Sequence, residues 1–465
     1  MTPQERLEIR AALAALPEVA HHAPGQPVDP DDVYMVQSHR NALNPDRALV
    51  VGNRGMGKSF WAHALTNPIV RERLASELQL QRLAVTQVVF GFNGSAAHDA
   101  VAPTPAMLDG HDPAAAWKAV LARAVASYLG EVLPGDFTTQ VDWIARQPEA
   151  YAALLSRGEG ALRAQGRHLL VLFDALDRLG SDWTHTRQRL QALLGLALQT
   201  QSFRHIRLKL FLRFDQFGDP RLFEFPDAAK IRNTAVDLAW PDEDLYALLF
   251  FNLRHCPAFQ ALTSTIDPQA NDRTKQVVDA LAGEYMGKGK RKGRVYTWLP
   301  THLKDTHGHI SPRTFLTVWR AAAESTRAEE TPIDHLGIHE GVRRASRARL
   351  AELEEDYPWV MTALEPLRNR EVPLERQKLE DYWRESDTFA RVQTIAQERD
   401  RHVLIPIQLS FLLGEKPSHE EELRRALEVI GVLELRKSLG TIDVPDIYRV
   451  EAGIKRRGGV QPKRR

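Results

Sequence analysis

Apolar residues in this chain fall into short, unbroken runs separated by longer stretches with helical periodicity. Five runs read as strands: 48–51 (ALVV), 83–92 (LAVTQVVFGF), 168–174 (HLLVLFD), 207–214 (RLKLFLRF) and 234–239 (TAVDLA). Such runs, bounded by turn residues and without strict alternation, suit strands covered on both faces. Between them lie helical segments at 113–129, opened by Asp112-Pro113, and at 186–200. An amphipathic helix is expected at 3–16, followed by a proline- and aspartate-rich loop. Strands alternating with helices predict a parallel sheet with helices on both faces. The loop Asn93–Gly110 belongs on the rim of that sheet.

After Trp240-Pro241 the pattern becomes mostly helical, including a helix over 309–325. Ser418 and Glu421 form a capping-box pair ahead of two short strand-like runs, 432–436 and 441–445, which predict a hairpin. Helices closed by a hairpin look like a winged helix. The expected partition is an N-terminal helix and loop at 1–44, an α/β core at 45–240, a helical segment at 241–330 and a helical, winged-helix-like domain at 331–465.

The first strand runs directly into Gly52-Asn53-Arg54-Gly55-Met56-Gly57-Lys58-Ser59-Phe60. This is the G-x4-G-K-S pattern of a phosphate-binding loop. Its backbone N–H groups converge on a phosphate chain at a helix N-terminus, its lysine reaches the terminal phosphates and its serine hydroxyl ligates Mg²⁺. Residues 52–60 are therefore the expected nucleotide-binding segment, with ATP and Mg²⁺ as ligands. A carboxylate at a neighbouring strand end must complete the metal shell. LLVLFD provides Asp174, about 115 residues downstream, at the carboxyl end of its strand, where ligands of open α/β sheets gather. Asp174 as a helix N-cap is the alternative.

Three more residues are candidates. Asp177 could polarise an attacking water, or form a salt bridge with Arg178. Arg213, ending the fourth strand, could sense the γ-phosphate because its guanidinium cannot lose its charge, or it could pair with Asp215. Arg313, in Ser311-Pro312-Arg313, could close over the nucleotide from the helical segment, or stand as an ordinary surface arginine.

Together GNRGMGKS, LLVLFDALDR, LFLRFD, WPDEDLYALL (240–249) and SPRTFL resemble the STAND and AAA+ initiator (origin-recognition-like) branch of P-loop ATPases. They are similar in particular to a bacterial group that pairs RGxGKSFW with FDALDR. The resemblance covers residues 32–325. It implies a five-stranded sheet of order 5-1-4-3-2, a helical lid and a winged helix. AAA+ enzymes place a glutamate directly after the metal-binding aspartate, whereas position 175 is alanine and the next acid is Asp177. The resemblance therefore implies slow ATP hydrolysis used as a conformational switch on a protein partner or on self-assembly. It also admits a role in bacterial defence, which no residue by itself indicates. There is no guanine-reading Asn-Lys-x-Asp run, which favours ATP over GTP.

Charge and composition narrow the partners. Over 465 residues the net charge is only +1, so attraction to nucleic acid must come from local clusters. Lys288, Lys290, Arg291, Lys292 and Arg294 form one, interleaved with glycine. The tail residues Lys455, Arg456, Arg457, Lys463, Arg464 and Arg465 form another. Flexible cations of this kind suit a phosphate backbone, so DNA or RNA is the alternative partner class, with ATP gating an initiator or loader. His302, Asp305, His307 and His309 lack a standard zinc spacing and read as loop and helix-start residues. The single cysteine, Cys256, reads as a buried thiol and fits a reducing cytoplasm. No apolar run approaches the length of a membrane span.

Overall fold

The computed structural model describes residues 1–17, 28–97, 99–180, 183–327, 330–398, 418–436 and 438–456. The chain divides into two compact units, residues 22–238 and residues 1–21 with 239–465.

In the 22–238 unit, β1 (Leu49–Val51), β2 (Thr86–Phe92), β3 (His168–Phe173), β4 (Ile206–Leu212) and β5 (Val236–Asp237) form one sheet of order β2-β3-β4-β1-β5. Every pairing is parallel, with Val51 opposite both Leu212 and Asp237, and Phe92 opposite Phe173. This is the 5-1-4-3-2 arrangement expected from the resemblance. Leu49, Val51, Leu169, Val171, Phe173, Leu208, Leu210 and Leu212 share one core cluster, while the alternate positions Val50, Leu170, Leu172 and Phe211 are equally buried outside it. Both faces are thus covered, as the continuous apolar runs require.

The first of these faces carries the helices Pro113–Leu129, Pro148–Ala164 and Trp183–Gln199. Trp117 stands edge-on to Phe92 (6.1 Å) and Phe173 (5.6 Å), and its indole N–H donates to the Arg189 carbonyl at 2.8 Å. That bond satisfies the polar end of an otherwise apolar side chain. The helix Lys58–Thr66 buries Trp61, Ala62, Ala64 and Leu65. Because all five strands point the same way, the segments following β1, β3 and β4 emerge on one edge of the sheet.

The other unit is mainly helical. Helices Pro312–Ser325 and His335–Asp356 cross closely at two glycines. A Cβ at Gly337 would lie 2.4 Å from Thr326 Oγ1, and one at Gly341 2.5 Å from the Val318 carbonyl oxygen. Farther along, β6 (Glu371–Val372) pairs in parallel with β10 (Lys455–Arg456). Strands β7 (Leu374–Glu375), β8 (Glu434–Arg436) and β9 (Thr441–Asp443) form an antiparallel sheet of order β7-β9-β8. With the helices Arg376–Glu385, Thr388–Glu398 and His419–Val429, this gives a winged-helix-like module. The expected hairpin is β8–β9, shorter than its sequence runs. Ser418 caps His419–Val429, accepting from the Glu421 N–H at 3.2 Å. Among the described residues, no helix is long and apolar enough to cross a membrane.

Candidate nucleotide site

The loop between β1 and the helix Lys58–Thr66 takes its shape from glycine. Gly55 (φ +81°) and Gly57 (φ +95°) are both left-handed, a conformation that costs other residues a steric penalty. Met56 tucks its side chain inward (1 % exposed), whereas Asn53, Arg54 and Gly55 are partly exposed. Lys58 begins the helix and Ser59 lies in its first turn, exposed. Successive N–H groups at a helix N-terminus form an anion-binding concavity. The Lys58 ammonium donates to the carbonyls of Gly52 (2.7 Å) and Asn53 (3.0 Å), folding back across the loop.

The same sheet edge carries the other candidates. Asp174 follows β3, is 4 % exposed, and its backbone N–H donates to the Phe92 carbonyl at 2.9 Å. Asp177 is exposed on the single turn Leu176–Arg178, and among the described residues it makes no ion pair. Arg213 follows β4, between the strands that carry the loop and Asp174. Its Nε donates to Asp215 Oδ1 at 3.1 Å and its backbone N–H to Gln216 Oε1 at 3.0 Å.

These charges act on one another. Although Lys58 keeps part of its surface in solvent, its ammonium is enclosed, and burial lowers its pKa to about 8. Arg213 pushes in the same direction, while Asp174, Asp177 and Asp215 oppose the shift. All four therefore lie within electrostatic reach of Lys58. Burial also depresses the His63 pKa, and Asp174 opposes that shift.

The donor set fits Mg²⁺ bound with a nucleotide. A hydroxyl (Ser59) and a carboxylate (Asp174) are hard oxygen ligands, and Mg²⁺ takes the rest of its shell from phosphates and water. No group of three or more histidine, cysteine, aspartate or glutamate side chains suitable for a metal occurs among the described residues. The His302–His309 segment is used otherwise. His302 bonds the Trp298 carbonyl at 2.7 Å and stacks on that indole, while Asp305 accepts the backbone N–H groups of His307 and His309, each at 2.9 Å. Cys256 is buried and reduced.

Within the other unit, Arg313 lies in the first turn of Pro312–Ser325 and donates to Glu352 at 2.6 Å. The basic segment 285–294 is a narrow loop closed by a Tyr285–Arg294 bridge, and Gly287, Gly289 and Gly293 all have positive φ. Lys288, Lys290, Arg291 and Lys292 are exposed and, among the described residues, without acidic partners, whereas Arg294 is held by Glu284. Of the second cluster, Lys455 and Arg456 form β10, with Arg456 paired to Asp443 at 2.7 Å. Arg457, Lys463, Arg464 and Arg465 lie outside the described residues.

Two contributors escaped the sequence reading. His39 is buried and accepts the Trp61 indole N–H at Nδ1 (3.0 Å), tying the segment before β1 to the phosphate-loop helix. Lys209, fully buried in β4, donates to the carbonyls of Ala42 (2.7 Å), Asn44 (3.0 Å) and Arg47 (2.7 Å). A lone lysine inside the apolar run LKLFL was the available signal.

No family model matches the sequence, and no curated protein does. Among solved structures, the chain is similar to the ORC2 protein of Aeropyrum pernix in its ADP form (11 % identity, 94 % of each chain covered, TM-score 0.36). It is also similar to the Aeropyrum pernix ORC1 protein in complex with DNA (14 % identity, 94 % and 93 % covered, TM-score 0.34). A third is Cdc6p from Pyrobaculum aerophilum (11 % identity, 94 % and 95 % covered, TM-score 0.32). At this distance function has to come from the chain's own geometry.

Proposed function

We propose that residues 45–240 bind ATP with Mg²⁺ and hydrolyse it slowly, and that the nucleotide state switches the chain's engagement of a protein partner or of further copies of itself. The supporting observation is the gathering of Lys58, Asp174, Asp177 and Arg213 at one sheet edge, beside a loop with two left-handed glycines. Lys58 and the loop N–H groups hold the β- and γ-phosphates. Ser59 and Asp174 would hold Mg²⁺, which would supply neutralisation of phosphate charge. Asp177 orients the attacking water, and Arg213 balances charge that builds on the γ-phosphate. Turnover is slow because the carboxylate that orients water, Asp177, stands three residues beyond Asp174 on an exposed turn rather than directly after it. Residues 241–330, with Arg313, act as the lid, and 331–465 as the winged-helix-like output domain. Lys58→Ala is expected to abolish ATP binding, and undiminished affinity in that variant would refute the reading.

A second reading makes the output nucleic acid, with ATP gating an initiator or loader. It is favoured by four cations at the tip of the 285–294 loop that have no acidic partner among the described residues. Replacing Lys290, Arg291 and Lys292 with glutamine should weaken duplex DNA binding and flatten its log–log salt slope by about 2–3. An unchanged slope would remove the loop from the interface.

A further inference from the structure

Asp174 is followed by a backbone turn that alanine rarely makes. Ala175 is left-handed (φ +53°, ψ +38°), and it opens the single turn Leu176–Arg178, closed by a 3.0 Å bond from the Arg178 N–H to the Ala175 carbonyl. At the end of β2, Gly94 is left-handed too (φ +67°). The two meet: a Cβ on Gly94 would stand 3.0 Å from the Ala175 methyl and 3.0 Å from Arg178 Cδ. So the Ala175 side chain is turned against the end of β2, while Leu176 is buried and Asp177 is exposed within electrostatic reach of Lys58. Left-handed backbone at a residue with a Cβ is strained, and such strain clusters at functional sites.

We infer that the left-handed turn at Ala175 is a positioning device: it directs position 175 away from the γ-phosphate side and delivers Asp177 there instead as the carboxylate that orients water. Ala175 is thus a positioning residue, and Gly94 is the space that accepts its methyl. The missing glutamate after Asp174 is then a consequence of backbone shape, because a longer side chain at 175 would start out toward Gly94. This inference rests on the ATP-site reading above.

The test uses the full chain with Mg²⁺-ATP, measuring steady-state turnover alongside nucleotide affinity by fluorescent-ATP titration. Asp177→Asn should lower kcat by about 100-fold or more while leaving affinity within about twofold. Ala175→Gly keeps the turn, because glycine adopts it freely, and should hold kcat within about threefold with a melting temperature no lower than the parent's. Ala175→Val, whose branched side chain resists positive φ, should lose kcat as Asp177→Asn does, with affinity retained. Ala175→Glu should not raise turnover.

A tenfold or greater gain in Ala175→Glu would show that position 175 faces the reacting phosphate, and would overturn the inference. Unchanged kcat in Asp177→Asn, or in a folded Ala175→Val, would do the same. A parent protein that binds ATP without turning it over overturns the inference while sparing the binding site. Failure of the parent to bind ATP removes the ATP-site reading itself.

Discussion

Raising pH should weaken nucleotide binding through one side chain. Lys58 has a pKa near 8 in the free protein, held down first by burial and then by Arg213. A bound phosphate chain favours the charged ammonium and pulls that pKa back up. Binding above pH 8 therefore takes up a proton, and affinity is greatest below pH 8 and falls as pH rises. With a pKa of about 8, the charged fraction drops from about three quarters at pH 7.5 to about 3 % at pH 9.5. Apparent affinity should fall about 25-fold across that window, or about 2 kcal/mol, and the window lies above the titration of a phosphate monoester near pH 6. Calorimetry in two buffers of different ionisation enthalpy should show about half a proton taken up per nucleotide at pH 8. In Lys58→Arg the cation cannot be lost, so that variant should show a flat profile even if it binds more weakly. A parent profile as flat as that of Lys58→Arg, without proton uptake, would refute the reasoning.

Three further outcomes are expected. Arg213→Met should move the midpoint of that pH profile upward, by removing the cation beside Lys58, and should lower kcat by about 100-fold; an unmoved midpoint would separate Arg213 from the site. Gly57→Ala forces alanine into φ +95°, at a cost of about 1–2 kcal/mol, although its Cβ would meet nothing nearer than Trp61 Cδ1 at 3.9 Å. Nucleotide affinity should fall by tenfold or more in a protein whose circular dichroism is unchanged. Lys209→Met removes the donors to the Ala42, Asn44 and Arg47 carbonyls, two of which the neutral amine can serve at a time at pH 8, and should lower stability by about 2–3 kcal/mol in urea denaturation at that pH. Burial sets the Lys209 pKa to about 7, below its unfolded value, so the unfolded chain binds more protons between pH 7 and 10 and stability should climb there. That share of the climb should vanish in Lys209→Met, and an equally stable or more stable variant would contradict the clamp role.

The β1–loop–helix unit was legible because its glycines occupy positions where the backbone itself demands them, at Gly55 and Gly57. Strand positions followed from unbroken apolar runs, but their ends did not. The last strand shrinks to Val236–Asp237, since only two residues find partners on β1. Strand order came from family resemblance, because parallel neighbours leave no local mark on a sequence. Strand β7, two residues long, is too short to show alternation, and the hairpin it joins was the visible part. The Arg213–Asp215 pair is close in sequence and was readable as an alternative. The Trp61–His39 bond spans 22 residues and was not readable. Nor was the turn at Ala175, since alanine carries no preference for a left-handed backbone and only contact with Gly94 reveals it.

The central claim is that Lys58 and its glycine loop hold a nucleotide. Titrating fluorescent ATP with Mg²⁺ into the intact chain and into Lys58→Ala tests it most directly. The account predicts saturable binding by the parent and a loss of at least about 100-fold in the variant, each lost factor of ten being about 1.4 kcal/mol. Equal binding by both proteins, or none by the parent, would contradict it.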